Sequence, residues 1–406
     1  MLKKSSRHVL VFGVSVLIAL VAVAQPVPAA APSNGTLFGA VGCLFCTRSL
    51  DRLDPASGNE TPVATLGGVF VDAMAADPGL QVLYVSASYG GGKGGVPGFA
   101  MFTFNSQTGA FSAAYNVISS PLEMALDPAT HTLFGLRDEL IGQNFEFGIS
   151  RIDPASWSAT HLATLPSRTS SLAFDPASHT LYTEAMDFSA SPATGSLFAV
   201  NSQTGTVSAP ATLTPAVFNL VYDTAAGALY GVAGGLPQSF VKIDPSTGAE
   251  TPIGGFTFAG VASAATIDSA SHTVYLVQTE TLAGGEKASQ IVTIYAQTGA
   301  GAAGPTMAQA VWAIAFLAPP ITPDSIQTDV SDALTTGAID NSGVASSLLA
   351  KLSAAAGARS RGQCLTAADV YASFINDLTA QRGKHVAAAT AAKLTAEAQF
   401  LIANCP

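Results

Sequence analysis

The side chains best placed to do chemistry in this 406-residue chain are Asp72, Glu123, Ser171, Asn219 and Trp312. Each stands four or five residues ahead of one recurring point in the sequence, usually an Asp that opens a tight turn, so they fall at about one level of a repeated element. Carboxylate and amide oxygens are hard donors of the kind that hold calcium or orient a polar ligand. Glu123 and Asn219 would be the ligands of such an ion, and Asp72 the base if a bound water were used for hydrolysis. The plainer expectation is a wet channel with a few hydrated polar groups and no cofactor, because one carboxylate is thin for calcium.

Nucleophilic catalysis has little to work with. His131, His179 and His272 occupy one repeat position inside tight turns, His8 lies in the N-terminal signal segment, and only His161 and His385 remain. A Ser-His-Asp or Cys-His site therefore lacks its base, and no catalytic residue is assigned. The glycine-rich stretch SYGGGKGGVPG at 88–98 has Lys93 followed by Gly94 and strand-like residues on both sides. A phosphate loop needs Ser or Thr there and a helix ahead. The connections that vary between repeats carry Phe45, Tyr89, Phe145 and Phe188 among acidic residues, a mixture that suits a sugar or a peptide.

The element that positions these groups is the repeat. LAFDPASHTLYTEA at 172–185 is echoed by MALDPATHTLFGLR at 124–137 and ATIDSASHTVYLVQ at 265–278. Asp77, Asp127, Asp175, Asp223 and Asp268 mark one series of turns, spaced by 45–50 residues. A second series alternates with it: LDPASG, FNSQTG, IDPASW, VNSQTG, IDPSTG and IYAQTG. Asp or Asn accepts amide hydrogen bonds at the turn entrance, Pro pre-sets φ, and Gly supplies a positive φ at the exit. Two turns per unit of about 48 residues give four short strands, which cannot bury both faces alone. Strand openings at Thr36, Val82, Thr132, Thr180, Ala228 and Thr273 count six units. VWAIAFL at 311–317 has no unit after it and matches the strand missing before Thr36. The reading is an all-β six-bladed β-propeller over 35–319, its C-terminal strand closing the first blade. The alternatives are a β-sandwich or an open array, and an open array leaves that strand without a partner. In a ring the tight turns share one face and the variable loops the other, where binding is expected. The mostly small residues of the inner strands are expected to line the central channel.

The ends differ in character. Lys3, Lys4 and Arg7 precede an apolar run over 9–23 with a small-x-small site at 22–24, the pattern of a signal peptide over 1–24. The alternative is an uncleaved anchor, for which the run is short. Removal leaves 14 basic residues against 27 acidic ones, which argues against nucleic acid or anionic lipid as partner. Residues 25–34 read as a flexible leader and 320–324 as a Pro-rich linker. Over 325–406 the apolar period becomes helical, with stripes at Ile326, Val330 and Leu334; at Val344, Leu348, Leu349 and Leu352; at Val370, Tyr371, Phe374, Ile375 and Leu378; and at Leu394, Ala398, Leu401 and Ile402. TAAD at 366–369 reads as a helix start. Two arms of equal length return Cys405 to Cys364, a disulfide suited to export. Cys43 and Cys46, in CLFC, then pair by elimination as a loop clip; a redox dithiol is the alternative, but it is served by a helix N-terminus that this motif lacks.

The segment YASFINDLTAQRGKHVAAATAAKLTAEAQFLIANCP resembles the FIMAH-type helical domain, through Phe374-Ile375, Gly383-Lys384 and the closing Leu401-Ile402; Asn376 and Asp377 depart from the Met-Ala of that name. The resemblance implies placement at the surface or envelope of a bacterium and no particular activity. The ring is similar, through its DPxTG turns, to YncE-like and DUF4394-type bacterial propellers. Together these readings give a secreted, periplasmic or cell-surface monomer that binds a glycan, peptide or envelope protein. The alternative resembles six-bladed metal-dependent lactonases.

Overall fold

The computed structural model describes residues 35–405 except 43–47, 90–97, 113, 118–120, 142–143, 188, 190–192, 235–237, 259–260 and 282–286. Six four-stranded antiparallel sheets make the ring. Blade 1 joins Val311–Leu317, innermost, to Thr36–Val41, Arg48–Leu53 and Glu60–Gly67. Blade 2 runs outward through Phe70–Asp77, Val82–Tyr89, Gly98–Asn105 and Tyr115–Val117. Blade 3 has Glu123–Asp127, Thr132–Ile141, Asn144–Ile152 and Ala159–Leu165; blade 4 has Leu172–Asp175, Thr180–Asp187, Thr194–Asn201 and Ala211–Leu213. Blade 5 has Val217–Asp223, Ala228–Ala233, Gln238–Ile243 and Glu250–Phe258; blade 6 has Val261–Asp268, Thr273–Thr281, Lys287–Tyr295 and Ala300–Thr306. The closing strand pairs with the first, Thr36 opposite Leu317 and Phe38 opposite Ala315. All six strand openings read from the sequence stand at the second strand of a blade, and the inner strands touch in a closed circuit.

The inner strands correct one expectation. Their small residues do not line an open channel; they form one side of each seam between blades. Ala73 and Ala75 of blade 2 pack with Met124 and Leu133 of blade 3. Ala125 packs with Leu172 and Phe174 of blade 4, and Ala173 with Leu220 and Leu229 of blade 5. Ala313 and Ala315 pack with Met74. A blade presents its two sheet faces to its two neighbours, so alternation along the inner strand separates a small face from a large one. Small against large lets six strands converge at core packing density.

The turns owe their form to hydrogen-bond chemistry. The Asp that ends an inner strand is buried and accepts the amide two residues on, as Asp77 Oδ1 does from Gly79 at 3.0 Å and Asp175 Oδ1 from Ala177 at 2.9 Å. The turn exit has a positive φ at Gln81, His131, His179, Gly227 and His272. The histidines are turn residues, as read from the sequence, and two of them also bolt blades together. His131 Nδ1 lies 2.6 Å from Asp77 Oδ2 of the preceding blade, and His272 Nδ1 2.6 Å from Asp223 Oδ2. The outer turns use Gly at the left-handed position except at Trp157, φ 56°. That indole is buried and edge-on to Tyr84 across the seam, centroids 6.1 Å apart, a contact that offsets the backbone strain.

Four helices follow the ring: α1 (Pro323–Thr335), α2 (Ser342–Ser360), α3 (Cys364–Gln381) and α4 (Ala388–Ala403). Thr322 caps α1 in a reciprocal pair with Ser325. The core holds Ile326, Val330, Leu348, Leu352, Tyr371, Phe374, Leu378, Leu394, Ala398 and Leu401. Leu334 departs from its expected stripe: it is exposed, and Ala333 faces inward instead. The start of α3 lies ahead of TAAD, with Gln363 at the cap position and no side-chain cap bond. The Cys364–Cys405 disulfide, Cα atoms 5.8 Å apart, ties that helix start to the chain end. Cys43 and Cys46 lie outside the described residues. Closing a loop of 41 residues contributes about 4 kcal/mol in the chain-entropy picture. The Cys364→Ser/Cys405→Ser variant is expected to melt its helical unit first and leave the ring transition unchanged, read by far-UV circular dichroism at helix and strand wavelengths.

The helical unit rests on the tight-turn face. Phe400 of α4 meets the His131 ring edge-on at 5.8 Å and covers Gly79, where an added Cβ would lie 2.4 Å from the Phe400 ring. Gln81 Nε2 donates to the Ala318 carbonyl at 3.0 Å, fixing the chain as it leaves the ring. The described strand ends that lead into the variable connections lie at the opposite end of the blades. No described helix is long and apolar enough to cross a membrane.

Candidate functional site at the mouth of the ring

Glu123 opens the inner strand of blade 3, Ser171 directly precedes that of blade 4, and Asn219 sits on an irregular register of blade 5. The structure brings Glu123 and Ser171 together through a residue that the sequence reading missed. Glu184, on the second strand of blade 4, is fully buried. Ser170 Oγ donates to its Oε1 and Ser171 Oγ to its Oε2. Ser171 Oγ in turn accepts the Leu220 amide of blade 5 at 3.0 Å. One relay, amide to hydroxyl to carboxylate, thus crosses the seam between blades 4 and 5.

Burial pushes Glu184 up to about 7 against the pull of its two serine hydroxyls. Burial first, and the neighbouring Glu184 carboxylate second, push Glu123 up to about 8. At neutral pH Glu123 is therefore mostly a neutral carboxylic acid, able to donate as well as accept. The signal for Glu184 lies in the repeat alignment. Four residues after each strand opening come Ala40, Ser86, Leu136, Glu184, Val232 and Val277; an acid there breaks the pattern.

The other candidates are turned to structural bonds. Asn219 has φ 53° and donates Nδ2 to the Ala262 carbonyl of blade 6 at 3.0 Å. Asp72 Oδ1 accepts from Ser88 Oγ within its own blade at 3.0 Å, and Trp312 Nε1 donates to the Gly42 carbonyl at 2.9 Å. Tyr89 lies over Gly98, where its ring fills the space a Cβ would need. Phe45 and Phe188 lie outside the described residues, as does the side chain of Phe145. Both Glu184 oxygens accept hydroxyl hydrogen bonds, and Asn219 donates Nδ2, not the Oδ1 that an ion would use, to its neighbour. Among the described residues no group of three His, Cys, Asp or Glu side chains is arranged to hold a metal ion.

Comparison with known proteins treats the ring and the helical C-terminal part separately. No curated protein matches it in sequence. TolB from Acinetobacter baumannii is similar in structure, with 11% identity and a TM-score of 0.52 over 71% of this chain and 68% of that one. A putative 6-phosphogluconolactonase from Bacteroides fragilis is 10% identical with a TM-score of 0.45, covering 72% of this chain and 99% of that one. The TolB likeness shows the fold and nothing finer. Residues 323–403 match the FIMAH domain, and their four helices are those of the bundle. The molecule is thus a six-bladed β-propeller that carries a C-terminal FIMAH domain.

Proposed function

We propose that this chain is an exported, non-catalytic binding protein that presents the variable-loop face of a rigid ring to a glycan, peptide or envelope protein. The observation that carries the reading is the state of the mouth. Asp72, Ser171, Glu184 and Asn219 spend their hydrogen bonds on the ring itself, which sets a rigid rim rather than a nucleophile beside a base. Rigid scaffolds with variable loops commonly carry recognition. The FIMAH domain sits on the opposite face and leaves the loop face free for a partner. The apolar N-terminal run and the Cys364–Cys405 disulfide support an oxidising compartment, where the chain acts as a monomer in the secreted, periplasmic or cell-surface space.

The purified mature chain, applied to glycan and peptide arrays, is expected to bind a defined subset. Tyr89→Ala, Phe145→Ala or Phe188→Ala should weaken that binding by at least tenfold while the melting curve of the ring holds. Array binding that survives all three substitutions, or no binding at all, overturns the reading.

A second reading, a calcium-dependent hydrolase, draws on the paired acids Glu123 and Glu184. It requires stoichiometric calcium in the purified protein and release of that calcium by Glu123→Gln. Elemental analysis showing metal-free protein removes it.

A further inference from the structure

Blade 1 holds a second pair of acids, within its second and third strands after the closing one. Asp51 lies three residues before the outer-turn Asp54. The repeat fills the equivalent places with Phe102, Ser150, Phe198, Val241 and Val292. Asp51 is nevertheless only 2% exposed, a carboxylate where the fold elsewhere puts an apolar or small group. A residue that breaks its local rule inside a core calls for a compensating partner.

The register shows what lies beside it. Asp51 pairs with Pro62, and Leu53 with Glu60. Paired residues share a sheet face, so Asp51 and Glu60 are diagonal neighbours on one face, two residues apart along the strand. That face packs on blade 6: Leu53 joins Tyr275, Ile291, Met307 and Val311 in one apolar cluster. Glu60 accepts backbone hydrogen bonds from Gln309 and Ala308, in the connection that leads into the closing strand. Glu60 Oε1 is buried with no hydrogen-bond partner, as are Glu250 Oε1 of blade 5 and Asp51 Oδ1, while the Ser49 hydroxyl bonds the Asp51 carboxylate. No lysine, arginine or histidine forms an ion pair with either acid among the described residues.

Blade 5 supplies an internal control. Its fourth strand begins with the same Glu-Thr-Pro, Val241 pairs with Pro252, and Ile243 pairs with Glu250. Glu250 bonds the backbone at Thr214 just as Glu60 bonds Gln309 and Ala308. The glutamate alone is thus a device for tying a strand to the preceding blade. What blade 1 adds is the second, buried carboxylate, and it adds it at the one seam where the ends of the ring meet.

We propose that Asp51 Oδ1 and Glu60 Oε1 hold a hard divalent cation, calcium by preference, across the seam between blades 1 and 6. Oxygen-only donors select calcium or magnesium over softer metals. Calcium tolerates an irregular shell completed by backbone carbonyls and water, which suits two carboxylates on a twisted sheet better than the strict octahedron of magnesium. A two-carboxylate site falls in the weak class common to extracellular modules, about 0.1–1 mM. The ion would neutralise two neighbouring acids that have no cationic partner among the described residues, and it would tie blade 1 to blade 6.

The test is thermal unfolding of the full mature chain in EDTA and in 10 mM calcium chloride or magnesium chloride, with calcium binding followed by calorimetry. Wild type is expected to gain about 3 °C in calcium and less in magnesium. Asp51→Asn keeps the shape and should abolish the gain; Glu60→Gln should reduce it, and Glu250→Gln should retain it in full. The Asn variant should also be no less stable than wild type in EDTA, because it removes an uncompensated buried charge. A wild type whose melting ignores calcium and EDTA overturns the proposal. So does a calcium response that persists in both Asp51→Asn and Glu60→Gln; its loss in Glu123→Gln instead would move the ion to the mouth of the ring.

Discussion

The melting temperature of this protein is expected to fall by about 10 °C between pH 5 and pH 8. Glu184 and Glu123 are held at about 7 and about 8 in the fold, against an ordinary value of 4.5. Burial also raises Asp51, Glu60 and Glu250, and burial in the FIMAH domain raises Glu397 beside Lys393. A carboxyl whose pKa is raised on folding keeps its proton in the native state after the unfolded chain has lost it. Its contribution is complete below the ordinary value and vanishes as pH climbs to the folded one. His131, raised chiefly by its bond to Asp77, acts in the same direction: its share is full below 6.5 and lost above. The exposed turn acids Asp54, Asp153 and Asp244 run the other way. Serine hydroxyls first, then turn amides, hold them below the usual range, so their share disappears only in strong acid. Each pKa unit is worth about 1.4 kcal/mol, so the pair at the mouth loses roughly 6 kcal/mol of stabilisation between pH 5 and pH 8, and about 2 °C per kcal/mol, the low end for a ring of this size, gives the shift stated. Differential scanning fluorimetry from pH 4.5 to 8.5 checks it, and Glu123→Gln/Glu184→Gln should remove most of the slope. A melting temperature that rises with pH over this range contradicts the buried acids.

Phe316→Ala is expected to cost about 3–5 kcal/mol, the range for emptying a buried aromatic site, and to lower the ring transition by about 10 °C. The side chain lies in the closing strand, stacks on Tyr275 of blade 6 at 5.7 Å and fills the space beside Gly35. Its backbone amide donates to Thr266 Oγ1 at 3.1 Å. Every one of these contacts requires the chain's late strand to sit between its first blade and its last. An open array would leave Phe316 at an edge, where truncation costs little. Leu365→Ala is the counterpart, since that side chain is 85% exposed and its loss should stay within about 0.5 kcal/mol. Chemical denaturation of the two variants side by side separates a fastened ring from a loose one.

Much of this architecture could be read before any coordinates. Turn chemistry is local: an Asp, a Pro and a Gly fix one turn through their own hydrogen bonds and φ preferences, so the period, the six units and the closing strand follow from counting. The four helices follow from apolar spacing. The errors came where packing decides. Leu334 and Ala333 are adjacent on α1, and only the neighbouring helices choose which turns inward. The start of α3 lies at Cys364, two residues ahead of TAAD, where the disulfide is anchored. Alternation was correct on the inner strands, yet the small face belonged to a seam and not to a channel, because a blade has a neighbour on each side.

The chemistry divides the same way. Glu123, Ser171 and Asn219 were legible from their common level in the repeat, but Glu184 and Asp51 were not, although each breaks a column that the repeat fills with apolar or small residues. Sequence determined which residues could stand at equivalent places. Only the closed ring decided which of them meet, since a hydrogen bond or a field between acids acts over a few ångströms while the groups concerned lie on different strands, and at the closing seam at opposite ends of the chain.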